Sequence, residues 1–112
     1  MAEVAQMVHR LVVSYGQPDD PEAFDSYYRG THTPLATQMP GLVRLTTGKP
    51  QSMDPTHPAP YLVAELDFDS EQAMGAAFAS EEGKVTAKDV ARFATGGAVM
   101  THYEVTEVHV SR

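Results

Sequence analysis

The residues best suited to move a proton sit in one stretch, YYRGTHTPLA, in which Tyr28 precedes His32 by four positions. An ordinary histidine titrates near pH ~6.5, so it can take up and give back a proton at neutral pH. On a helix, residues i and i+4 share a face, which places the phenol beside the imidazole. The same stretch carries two helix breakers, Gly30 and Pro34. Proline has no N–H, and its ring crowds the carbonyl four residues earlier. That carbonyl belongs to Gly30, the residue most tolerant of distortion. A kink or break is expected here, aiming His32 into a pocket with Tyr28 beside it. A purely structural role fits the same residues, with His32 hydrogen-bonded to tie the distorted turn together.

A second set is polar and lies on segments that read as strands: Tyr15, Tyr61, Glu65 and His102. Polar groups converging on an apolar wall are the usual lining of a small-molecule site. A wet interface between two copies would use the same groups. If the first and last strands pair antiparallel over their full lengths, Tyr15 and His102 come close together. His57 lies in the proline-rich stretch KPQSMDPTHPAP, where it is either a lid residue over a pocket or a solvated side chain. His9 and His109 fall near strand ends and are expected at the surface. No histidine pair has H-x-H or i,i+4 spacing, so no metal site is expected. There is no cysteine, and hence no thiolate nucleophile or zinc-thiolate site. No G-x-G-x-x-G or P-loop is present, so a self-contained nucleotide site is not expected. A tightly held cofactor is not expected either. Haem and flavin stay open, since distant barrels of the kind described below bind haem, although no haem-attachment motif occurs.

These groups need elements to hold them. MVHRLVVSY is β-branched and aromatic and predicts a first strand with aliphatics on both faces. GQPDDP breaks the chain, and Asp20, Pro21 and Glu22 form a helix start. Phe24, Tyr28, Thr31, His32 and Leu35 then recur at helical spacing until Pro40-Gly41. LVRLTTG predicts a short second strand. YLVAELDF alternates, with Leu62, Ala64, Leu66 and Phe68 on one face and Tyr61, Val63, Glu65 and Asp67 on the other. Asp69 and Gln72 resemble a capping box for the next helix. Ser80 can cap a further one carrying Val85, Val90 and Phe93, and AVMTHYEVTEVHV predicts the last strand.

The order β-α-β-β-α(α)-β is that of an α+β, ferredoxin-like βαββαβ fold with a four-stranded antiparallel sheet. The 112 residues argue for a single domain over 1–112. Helices cover one sheet face only. A bare, half-apolar face presenting Tyr61, Val63 and Glu65 calls for a second copy packed sheet to sheet, so a homodimer is expected. The formal net charge of −7 makes nucleic acid and anionic membranes poor partners. The N-terminal MAEVAQM has no basic n-region, and no run approaches ~20 apolar residues, so a cytoplasmic protein is expected.

The segments YYRGTHTPLATQMPGL and PYLVAELDFDSEQAMGAAFASEEGKVTAKDVARF resemble the EthD family. They match its aromatic pair and Arg leading into His-x-Pro-Leu and Pro-Gly-Leu. They also match its Phe-Asp-Ser helix start, its Ser-x-Glu-Gly turn and its Asp-x-x-x-Phe. The likeness runs from about Met7 to Val108. It departs at Gly30, where a helix former is commoner, and at Tyr28, where tryptophan is common. DPTHPAPYL is similar to the same region of cofactor-free muconolactone isomerases. The resemblance implies a dimeric α+β barrel and singles out His32. It leaves two functions open. One is a small enzyme without a tightly held cofactor, an oxidoreductase or an isomerase or cyclase. It would act on an aromatic, quinone or lactone-like metabolite with His32 and Tyr28 as catalytic groups. The other is a non-catalytic dimeric module that binds a ligand or supports a partner oxygenase.

Overall fold

The computed structural model describes residues 7–111. Four strands form one sheet: β1 His9–Tyr15, β2 Leu42–Gly48, β3 Leu62–Phe68 and β4 Ala98–Glu104, in the order β2-β3-β1-β4. Every neighbouring pair is antiparallel. Helices α1 Pro21–Tyr27, α2 Thr33–Ala36, α3 Glu71–Ala79 and α4 Glu81–Phe93 complete the α+β, ferredoxin-like order. No helix among the described residues is long and apolar enough to cross a membrane.

The predicted helix starts hold, with one shift. Asp20 accepts from the backbone of Ala23 and Pro21 takes the first turn. Ser70, one residue beyond the expected Asp69, caps α3 by accepting from Ala73 N–H, and Ser80 caps α4 through Gly83 N–H. Gly83 is required there: a Cβ would collide with the backbone of Ala77 and Phe78, where α4 begins against the end of α3. The last strand stops at Glu104, well short of the expected Val110, because its partner β1 offers only seven residues. His109 lies outside it and is exposed.

Burial along β1 alternates, with His9, Leu11, Val13 and Tyr15 buried beneath the helices. Leu62, Ala64, Leu66 and Phe68 of β3 share that face. Phe24, Tyr28, Met39, Ala77 and Phe93 close the core from the helical side. On the other face Arg10 makes a bidentate pair with Asp67, at 2.7 and 3.1 Å, and reaches Glu65 at 3.1 Å. Val99 and Tyr103 are exposed, so this face is half-apolar, as expected. Tyr61 does not belong to it. The strand begins one residue later, so the pleat does not govern Tyr61, whose ring packs edge-on against Phe24 at 5.2 Å.

Between α1 and α2 the chain makes one wide π turn, Tyr28–His32. The helix does not break, since the flanking residues keep right-handed helical dihedrals, and the expected distortion takes the form of this π turn. Pro34 cannot donate to Gly30, and the mismatch is absorbed by Thr33 N–H bonding back to Tyr28 O, five residues earlier. Gly30 is not needed sterically, since a Cβ there would meet nothing within 4 Å. Gly30→Ala is therefore expected to leave stability unchanged or raise it by about 0.5–1 kcal/mol. Gly83→Ala is expected to lower it by about 1–3 kcal/mol, through overpacking. Urea unfolding of the two variants beside the parent checks both signs.

Candidate functional site

The π turn faces a small cavity of about 30 Å³ between the sheet and the helices. Leu11, Val13, Ala64 and Leu66 form its sheet wall, Ala87 and Val90 its α4 wall, and Met100, Leu45 and Phe78 its outer rim. Tyr15, Tyr28 and His32 are its polar groups apart from Thr86. Thr86 is already engaged, donating to the carbonyl of Glu82 at 2.8 Å.

His32 and Asp89 are each only 4% exposed, and His32 Nδ1 lies 2.9 Å from Asp89 Oδ2. Asp89 Oδ1 accepts from the hydroxyl of Tyr27 at 2.6 Å. A carboxylate accepts only, so the proton of a neutral His32 resides on Nδ1. That leaves Nε2 with its lone pair and, among the described residues, without a partner. The ring is held by Phe93 at 4.7 Å and Tyr28 at 5.4 Å between centroids. Burial pushes the His32 pKa down, while Asp89 pulls it partly back. His32 is thus neutral at pH 7, the state a general base needs. Burial also pushes the Tyr28 phenol up to about 12 and raises Tyr15 further, keeping both protonated. Neither hydroxyl has a hydrogen-bond partner among the described side chains. An oriented imidazole base and two protonated phenols on an apolar cavity are equipped to remove and return a proton.

Of the seven residues singled out from sequence, the fold brings His32, Tyr28 and Tyr15 together. The other four lie elsewhere. Tyr61 bonds to Asp25 at 2.9 Å and Lys49 at 3.1 Å on the outer side of α1. Glu65 lies on the helix-free face beside Arg10. His57 is 81% exposed, and its loop is folded on itself through Asp54, which also binds Thr56. Tyr15 pairs with Ala98, and His102 pairs with Leu11, so the expected meeting of Tyr15 and His102 does not occur. His9 is buried instead of surface-exposed and meets His102 at 2.8 Å. Sequence reading missed Asp89 as a site residue. Its signal was a carboxylate four residues before Phe93, on the α4 face that carries Thr86 and Phe93, whereas Val85, another of the apolar residues of that helix, is 48% exposed.

Fold and site together define a ferredoxin-like α+β protein with a buried histidine–carboxylate pair on an apolar cavity. A family model described as EthD domain matches residues 17–97, and the chain belongs to the EthD family. It is 44% identical over 93 residues to a Rhodococcus erythropolis protein described as an uncharacterized 11.0 kDa protein in the thcB-thcC intergenic region; the match covers 83% of this chain and 90% of that protein. A crystal structure of an EthD family protein from Bacillus halodurans matches with a TM-score of 0.80 and 30% identity, over 88% of this chain and 99% of the other. A hydroxynitrile lyase from Passiflora edulis shares the fold at a TM-score of 0.69 and 16% identity, over 94% and 98% of the two chains.

The direction of the His32 shift gives a direct check. Imidazole resonances followed by NMR against pH are expected to place His32 below the ordinary value of about 6.5. Asp89→Asn removes the charge that favours the imidazolium, so the midpoint is expected to fall further. A depressed folded-state value means that the unfolded chain binds the proton more readily. The contribution of His32 to stability is therefore complete above pH ~6.5 and lost as pH falls through the folded-state pKa.

Proposed function

We propose that this EthD family protein transforms a small apolar metabolite by proton transfer, with His32 Nε2 as the base and no tightly held cofactor. The observation that carries the reading is the His32–Asp89 pair at 2.9 Å, which fixes the tautomer and leaves Nε2 free on an apolar cavity. Asp89 is a positioning residue. Tyr28, protonated beside the imidazole, is the group able to donate to an oxygen that gains charge. Tyr15 takes part in substrate binding from the sheet side. An aromatic, quinone or lactone-like molecule suits the apolar walls, and isomerisation or cyclisation suits a lone base. A cavity of about 30 Å³ admits about one water, so entry requires rim side chains to move. Met100, unbranched and half-exposed, is the most adaptable of them.

A second reading is favoured by the Tyr27 contact. Asp89 takes donors from both ends of the π turn, an arrangement that also fastens that turn to α4. In this reading the protein is a ligand-binding or accessory module for a partner oxygenase. Two variants separate the readings. Asn can offer Asp89 a donor close to the position of Nδ1 but has no counterpart of Nε2. His32→Asn is expected to retain most stability and lose turnover by roughly 10²–10⁴-fold. His32→Ala is expected to lose turnover and about 1–3 kcal/mol of stability, since it removes a donor from a buried carboxylate. The assay is a thermal-shift screen over phenols, quinones and lactones, followed by turnover of the binders. Binders whose turnover survives both substitutions would overturn catalysis by His32.

The helix-free sheet face supports a homodimer packed sheet to sheet, with Val99 and Tyr103 among the residues covered. Light scattering after size exclusion at micromolar concentration is expected to give twice the chain mass of 12.2 kDa. Tyr103→Glu places a charge on that face and is expected to shift the population toward monomer.

A further inference from the structure

One cluster of metal-ligating side chains lies apart from the His32 cavity. His9 opens β1 and His102 lies in β4, and the register places them diagonally, because Glu104 stands opposite His9 and His102 opposite Leu11. Their rings are 5.0 Å apart, with His9 Nε2 2.8 Å from His102 Nδ1. Glu71, in the first turn of α3, completes a group whose ligand atoms all lie within 4.8 Å of one another. Beside it opens a cleft of about 290 Å³ whose wall also carries Asp69 and Glu104. Among the described residues, no Lys or Arg lines that cleft.

We propose that His9, His102 and Glu71 bind one divalent transition-metal ion, with Zn²⁺ as the best match. Two imidazoles and one carboxylate, with space left for water, are a recognised donor set for that ion. Two nitrogens on a tetrahedral Zn²⁺, each at about 2.0–2.1 Å from it, stand roughly 3.4 Å apart. The pair at 2.8 Å needs to open only slightly, and His102 and Glu71, both exposed, are free to adjust. His9 is the buried anchor, held in the sheet. Asp69 and Glu104 add negative charge at the mouth, which favours a cation over an anion. Mg²⁺ and Ca²⁺ prefer sites built wholly from oxygen, so the two imidazoles select against them. The site is on the helix-covered side of the sheet, away from the face assigned to a second copy. It does not depend on the proton-transfer reading.

The test uses the full chain, free of any affinity tag and stripped with EDTA, titrated calorimetrically with ZnCl₂ and separately with MgCl₂. One Zn²⁺ per chain and no measurable Mg²⁺ are expected. His102→Ala and Glu71→Gln change exposed side chains, so both variants are expected to keep the parent's circular dichroism. Each is expected to weaken Zn²⁺ by at least about tenfold, the scale of disturbing a metal's immediate surroundings. Titration with Co²⁺ adds a spectroscopic reading, in which visible bands typical of a low-coordinate site appear in the parent and vanish in His102→Ala. No Zn²⁺ heat at a tenfold excess, or Zn²⁺ binding unchanged in His102→Ala, overturns the site. The second result would send the ion to another histidine.

Discussion

A buried carboxylate organises the helical side of this protein. Asp89 is 4% exposed, and a charge removed from water is tolerable only when donors surround it. Its two donors, Tyr27 and His32, are five residues apart in the chain. On a regular α-helix residues five apart differ by about 140° around the axis, too far to reach one carboxylate together. The π turn widens the helix at that point and brings both toward α4. Pro34, which cannot supply the regular bond to Gly30, makes the wider turn the better solution locally. A local constraint in the backbone and a distant charge thus agree on one geometry.

The agreement sets the chemistry as well. Once Asp89 holds Nδ1, Nε2 is the nitrogen of His32 left without a partner among the described residues, and burial favours the neutral imidazole. Phe93 is the structural counterpart of this polarity. Its ring lies within 4.7–5.7 Å of Tyr15, Phe24, Tyr27, Tyr28 and His32. It packs the aromatic residues of α1 and the π turn onto the sheet, so that Tyr15 and Tyr28 border the same cavity. The carboxylate and the ring that orient the histidine are one helical turn apart on α4. The Asp-x-x-x-Phe spacing therefore has a physical reason as well as a family likeness.

The element order, the antiparallel sheet and the one-sided helices were legible because alternation and helical spacing are local properties of the chain. The His32 turn was legible for a similar reason, since proline's missing donor acts within a few residues. What local reasoning could not supply was register. The placement of His102 opposite Leu11 separates it from Tyr15 and joins it to His9. Counting spacings along the chain could not reveal a pair ninety-three positions apart. Tyr61 was misplaced for a related reason, because one residue at a strand's end decides whether the pleat or the neighbouring helix orients a side chain.

The sequence by itself determined the ferredoxin-like order, the family and the distorted turn around His32, since each follows from patterns a few residues long. Tertiary structure alone decided that the turn is a π turn and not a break. It also chose Asp89 as the partner of His32, and excluded Glu65, His57 and His102 from the cavity. The physical reason is that a buried charge and its donors must meet in space. That meeting depends on how α4 packs on the sheet, which no stretch of this chain encodes alone.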